Sequence, residues 1–254
     1  MNSPMFRLMT GLFIFLLFSC RQAYEVKNTD TQFVRPAFSS AGVPEDSSVI
    51  RLSDPYRREM SEKMNVVLAR SAQPMEKGQP ESVLGNFVAD LCFDLANRYN
   101  QQNSLPPGDF CILNNGGLRS SLPEGDLMLR HAYELMPFDN ELVVIEMNGQ
   151  LTARVFDYIA QKGGVPVSGL KMNITDGKAT DVIIGGKPFD PSNSYRLVTS
   201  DYLAGGGDAM NMFGEAASRY GTGIKVRDAI ITRLTELGKQ NKLAVAKKDG
   251  RITK

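Results

Sequence analysis

The chain of 254 residues has one histidine, His131, and no stretch gathers His, Asp and Cys at metal-ligand spacing. A two-metal phosphatase centre needs several such ligands, so that chemistry has no visible machinery in this sequence. No Gly-x-Ser-x-Gly nucleophile motif occurs, and a lone histidine leaves little room for a Ser-His-Asp triad. His131 reads as a surface or packing residue in a mixed polar and apolar stretch. The run Gly205-Gly206-Gly207 is neither a Walker loop nor a dinucleotide fingerprint, because no Gly-Lys-Ser/Thr or Gly-x-Gly-x-x-Gly opens a helix there. Excess charge is missing too, with 29 Lys and Arg against 28 Asp and Glu. A balanced chain gives no electrostatic reason to bind nucleic acid or a charged membrane surface.

What is present begins with an export signal. Arg7 precedes the apolar run Gly11 to Phe18 and the small Ser19, a segment too short to span a bilayer usefully. Leu17-Phe18-Ser19-Cys20 resembles a bacterial lipoprotein signal, with Cys20 as the acylated new N-terminus; cleavage by the ordinary signal peptidase is the alternative, because Phe18 is bulky for that pattern. The expected organisation is a signal over residues 1–19, a flexible tether over 20–50 and one domain over 51–254. Two or three acyl chains would hold the protein firmly, each buried CH₂ adding ~0.8 kcal/mol, and would place it in a bacterial cell envelope, facing the periplasm or on the outer-membrane surface. Removing residues 1–19 leaves 235 residues, enough for a sizeable core. Cys92 and Cys111 then remain, either as two buried thiols, the preferred reading, or as one disulfide.

Helical periodicity starts at Asp54, with Pro55 in a first turn and Tyr56, Met60, Met64 and Leu68 at four-residue spacing, although Val66 to Ala69 also reads as a strand. The clearest helix runs from Val83 to Tyr99, its apolar residues following i, i+3, i+4, i+7. Apolar strands are predicted at Phe110 to Leu113, Leu142 to Ile145, Val165 to Ile174, Asp181 to Ile184 and Tyr195 to Ser200, with Gly185-Gly186 as a hairpin turn. Pro123, Glu124 and Gly125 mark a turn. Asn148 caps a short helix ended by Gly163-Gly164, and a last helix spans Gly223 to Leu237 with Gly238 as its stop. Closing strands fall near Leu243 to Ala246 and Arg251-Ile252. Interspersed helices and strands give the class α/β or α+β.

Chemistry concentrates in loops. Asn114, Asn115, Gly116, Gly117 and Arg119 follow the strand at Phe110: glycine lets a ligand approach backbone, asparagine donates and accepts, and Arg119 can fork onto a phosphate or carboxylate. Taken alone this segment reads equally as a surface turn. Phe138 to Asn140 and Tyr202 to Asp208 complete a candidate constellation. Phe138 and Tyr202 can face each other across a flat heteroaromatic ring, stacking being worth ~1–3 kcal/mol per base, and Asp208 can accept from two vicinal hydroxyls. Ordinary core rings and a turn aspartate are the bland alternatives.

Four segments in this order, Ser82 to Asp90 (SVLGNFVAD), Asn114 to Arg119, Pro137-Phe138-Asp139-Asn140 and Tyr202 to Asp208, resemble the C-terminal, substrate-binding domain of the 5′-nucleotidases over about Ile50 to Ile252. The resemblance implies a single domain of mixed sheet and packing helices that binds a nucleoside or nucleotide. Phe138 and Tyr202 would sandwich the base, Asp208 would accept the ribose hydroxyls, and Asn114 and Arg119 would lie toward the phosphate. Asn140 and the glycines 116, 117, 206 and 207 complete the implied substrate-binding set. Family enzymes carry two divalent metal ions in an N-terminal metallophosphoesterase domain that this sequence lacks. A partner metallophosphoesterase on a separate chain is therefore expected, with no cofactor, no catalytic residue and no activity in this chain alone; a stand-alone nucleoside-binding lipoprotein is the alternative. Three departures from the family pattern stand out. Residues 73–82 contain no arginine, weakening the phosphate end; Asp139 replaces a usual glycine and would repel phosphate; and Tyr202 stands where phenylalanine is common.

Overall fold

The computed structural model describes residues 47–254, so the expected signal, the lipidated Cys20 and most of the tether lie outside the described residues. Helix α1 covers Ser47–Met64 and buries none of its residues. It begins earlier than the sequence suggests, taking in the end of the expected tether and leaving Pro55 inside the helix rather than in its first turn. Leu52, Tyr56 and Met60 are all exposed along it.

Strand β1 (Val67–Ser71) leads to α2 (Val83–Gln102), the longest helix. Ser82 starts it, its side chain accepting from the Gly85 N–H at 2.9 Å. Next come β2 (Phe110–Ile112), β3 (Gly125–Met128), α3 (Leu129–Leu135), β4 (Glu141–Asn148) and α4 (Gly149–Gln161). Asn148 caps α4 as expected, accepting from the Leu151 N–H at 2.8 Å. β5 (Val167–Ser168), β6 (Leu170–Thr175), β7 (Lys178–Ile184), β8 (Lys187–Pro188) and β9 (Ser194–Ser200) follow, with Gly185-Gly186 turning between β7 and β8. The short α5 (Asp201–Ala204), two 3-10 turns, β10 (Ser218–Lys225), α6 (Val226–Lys239), β11 (Leu243–Ala244) and β12 (Ile252–Thr253) complete the chain.

A five-stranded mixed sheet, ordered β10-β4-β9-β2-β5, runs through the middle of the unit Ile50–Lys254. Strand periodicity fills both its faces. In β4, Leu142 and Val144 join the core made with α2 and α6, while Val143, Ile145 and Met147 join the core made with α4. Each such side chain taken fully out of water contributes ~1.5–3 kcal/mol. Two smaller sheets, β11-β1-β3 and β12-β6-β7-β8, flank the central one. The α/β expectation therefore holds, and Cys92 and Cys111 are buried free thiols.

Five local expectations need correction. The strand expected over Val165 to Ile174 is two strands in different sheets, because Gly169, at φ +71°, turns the chain where a Cβ would come within 2.7 Å of the Asp109 carbonyl. Gly223 to Lys225 belongs to β10, held in register by β4, so α6 starts at Val226. Gly238 does not stop α6 but lies within it: a Cβ there would overlap the Leu68 carbonyl of β1. The turn expected at Pro123, Glu124 and Gly125 is shorter, because Gly125 already opens strand β3, which leads straight into helix α3. His131, expected to be incidental, starts α3, its Nδ1 accepting from the Met128 N–H at 3.0 Å.

Candidate functional site

Strand directions bring the three loops to one end of the central sheet's inner strands. β2 and β9 are parallel neighbours, so the segments leaving both strands emerge together. β4 is antiparallel to β9, with Leu142 opposite Ser200, so the segment entering β4 arrives at the same end of the strands. Asn114 to Arg119 leaves β2, Phe138 to Asn140 enters β4 and Tyr202 to Asp208 leaves β9. They enclose a cavity of about 510 Å³ lined by Asn114, Gly116, Gly117, Arg119, Phe138, Asp139, Asn140, Tyr202 and Asp208. Gly206 and Gly207 stand behind this lining. Gly206 holds φ +96°, and a Cβ on Gly207 would meet the Tyr202 ring at 2.5 Å.

Both rings are half-exposed, Phe138 at 46% and Tyr202 at 45%, and both line the cavity. Asp208 sits at φ +53°. Its Oδ1 accepts from the Tyr202 hydroxyl at 2.8 Å and its Oδ2 from Asn114 Nδ2 at 2.9 Å, while its own N–H donates to the Tyr202 oxygen at 3.3 Å. Asn114 is thus bonded to Asp208, not to Arg119. The carboxylate raises the pKa of Tyr202, chiefly by holding the phenol proton. Tyr158, buried nearby, is pushed up to about 12 by desolvation first and then by the negative charge of Asp208.

Arg119 is fixed by its backbone, its N–H donating to the Leu135 carbonyl at 2.8 Å. The exposed guanidinium reaches only the Gly116 carbonyl, at 3.3 Å, and no ion pair joins it to a carboxylate among the described residues. The segment 73–82 lacks arginine but carries Lys77, whose Nζ donates to the Leu118 carbonyl at 2.9 Å, one residue from Arg119.

Asp139 does not confront the cavity as a bare charge. Hydrogen bonds from Lys225 and then Arg227 hold its carboxyl below the usual carboxylate range. Arg227, only 11% exposed, also donates to the Pro137 carbonyl at 3.0 Å and more weakly to that of Met136. Asn140 donates to Asp201 at 2.9 Å, and the same oxygen accepts the Tyr202 N–H at 2.7 Å, tying the second loop to the third. Sequence reasoning missed Arg227, Lys225 and Asp201. Nothing in their spacing relates them to residue 138, since Lys225 and Arg227 belong to β10 and α6.

Among the described residues no group of three or more His, Cys, Asp or Glu is placed to hold a metal ion. The strand ends of this α/β domain thus carry two exposed rings, an acceptor carboxylate and an arginine without an ion pair among the described residues. Residues 63–215 match the family described as 5′-nucleotidase, C-terminal domain, and the chain belongs to it. The 5′-nucleotidase of Vibrio cholerae is 28% identical over 194 residues, 71% of this chain and 32% of that protein. The crystal structure of a 5′-nucleotidase precursor from Thermus thermophilus covers 83% of this chain and 44% of its own at a TM-score of 0.67 and 25% identity. NAD nucleotidase from Haemophilus influenzae shares the fold, with a TM-score of 0.61 at 20% identity. The chain spans about a third of the length of the curated relatives it matches.

Proposed function

We propose that this chain is the nucleotide-recognition half of a cell-envelope 5′-nucleotidase, exported and lipid-anchored through Cys20, whose metal-dependent catalytic domain is a separate polypeptide. The observation that carries the reading is the convergence of Phe138, Tyr202, Asp208 and Arg119 on one cavity. Phe138 and Tyr202 stack on the base, Asp208 accepts the sugar hydroxyls and Arg119 takes the phosphate. Lys77 adds a second cation at the Arg119 end, in the segment where arginine is missing. Asp139, neutralised by Lys225 and Arg227, does not repel the phosphate as its bare charge would. The match of residues 63–215 to the C-terminal domain of the 5′-nucleotidases supports the nucleotide-recognition part of this reading.

Calorimetry of the protein with adenosine and AMP tests binding; absence of heat at millimolar ligand ends the reading. Phosphate release from AMP is expected only after a metallophosphoesterase chain is added, and metal-dependent release by this protein alone would move catalysis back into it. Binding that no metallophosphoesterase chain converts to release would favour a stand-alone nucleoside-binding lipoprotein.

A further inference from the structure

The hydrogen bonds already made by Asp208 define what its carboxylate has left to offer. An ionised carboxylate carries two oxygens and about four acceptor sites. The Tyr202 hydroxyl takes one on Oδ1 and Asn114 Nδ2 takes one on Oδ2. No ion pair involves Asp208 among the described residues, so no side-chain cation takes a third. One site per oxygen stays open on a residue that lines the cavity, a spacing that suits two hydroxyls on adjacent carbons of one ring face.

Several contacts hold this arrangement still. The Asp208 N–H donates to the Tyr202 oxygen at 3.3 Å, which turns the phenol proton toward Oδ1 and closes a small ring of hydrogen bonds. Gly207 lies flat against the Tyr202 ring with no room for a Cβ. Asp208 itself holds a left-handed backbone at φ +53°, with its Oδ1 on the Tyr202 hydroxyl. A phenylalanine at 202 would keep the stacking surface but leave Oδ1 without its fixed donor.

We infer that Tyr202 and Asn114 are positioning residues that act through Asp208 to make the site selective for a sugar with two vicinal cis-hydroxyls over its mono-deoxy analogues. This rests on the nucleotide-recognition reading and adds the residues that set sugar selectivity. A hydroxyl that meets an oriented, charged acceptor is worth roughly tenfold or more in affinity, and the same hydroxyl meeting a mobile carboxylate shared with water is worth much less.

Calorimetric titration of the full chain with adenosine, 2′-deoxyadenosine and 3′-deoxyadenosine tests the inference. The wild type is expected to prefer adenosine over either deoxy form by about tenfold or more. Tyr202→Phe and Asn114→Ala are each expected to lower that ratio at least threefold, and because the ratio compares ligands on one and the same variant, a common loss of fold or of base stacking cancels from it. Two variants on different loops guard against one misfolding. A wild type that binds all three equally, or variants that keep the wild-type ratio, would overturn the inference while leaving nucleoside binding intact. No binding of any of the three would overturn the underlying reading with it.

Discussion

The guanidinium of Arg227 lies 4.6 Å above the ring of Tyr133, and its two ends hold the loop that carries Phe138. Stacked on one ring, bonded to the carbonyls of Met136 and Pro137 and paired with Asp139, it joins the first turn of α6 to the entry of β4. Its Nε is buried without a protein partner among the described residues, and both terminal nitrogens bond the loop, so the planar fork as well as the charge is engaged.

Arg227→Lys keeps the charge and loses the fork. A lysine cannot stack flat on Tyr133 while bonding two carbonyls and a carboxylate. Urea denaturation is expected to show a loss of about 1–3 kcal/mol, and calorimetry a weaker interaction with adenosine. Unchanged adenosine affinity would show that the pose of Phe138 does not depend on Arg227.

Arg119 is exposed and makes one long side-chain contact, so Arg119→Ala is expected to leave stability within about 0.5 kcal/mol. AMP affinity should fall roughly tenfold or more while adenosine affinity is nearly kept. Lys77→Ala should move AMP binding in the same direction by less, because its ammonium also serves the Leu118 carbonyl. Equal losses for AMP and adenosine would contradict a phosphate end at Arg119.

His131 makes stability depend on pH. Burial, and then the charge of Arg130, hold its pKa below the ordinary histidine value, and the neutral ring accepts the Met128 N–H that starts α3. A base with a folded pKa below its unfolded one adds stability in full above the unfolded value of ~6.5 and loses it as pH falls through the folded value. Urea midpoints measured from pH 7.5 down to 5 are expected to show a loss of a few tenths to about 1 kcal/mol, and His131→Asn should remove that dependence. An identical slope in the variant would assign it to other groups.

Burial pushes the thiols of Cys92 and Cys111 far above the range in which thiolate forms at neutral pH. In a Cys20→Ser form both are expected to resist a thiol-reactive dye until denaturant is added and then to titrate together, the thiolate being the reactive species. Fast labelling of the native protein would reveal opening of the core between α2 and β2.

Long periodic segments were readable in the sequence because tertiary packing and local preference agree there. α2, β4 and α4 present their apolar residues at the spacing that their cores use. The three loops were readable as chemistry, and the topology supplies what the sequence lacks, the parallel and antiparallel neighbours that gather them. β10 escaped notice because Ser218 to Lys225 contains two glycines and buries only Thr222 fully, so its strand state comes from pairing with β4 and not from its own pattern. α3 is a single short helix started by a histidine, a cap that composition does not announce. Arg227 and Asp201 work through contacts 88 and 61 residues away in sequence, beyond any local signal.

Gly238 gives α6 a fixed seat. With no side chain between them, the helix backbone rests directly on the Leu68 carbonyl, and Arg227 stands eleven residues earlier on the same rod, ~16 Å away along its axis. The height of that seat sets where the arginine meets the Phe138 loop. A side chain at position 238 would lift α6 off β1, and the displacement would carry along the rod to Arg227 and the loop that it holds.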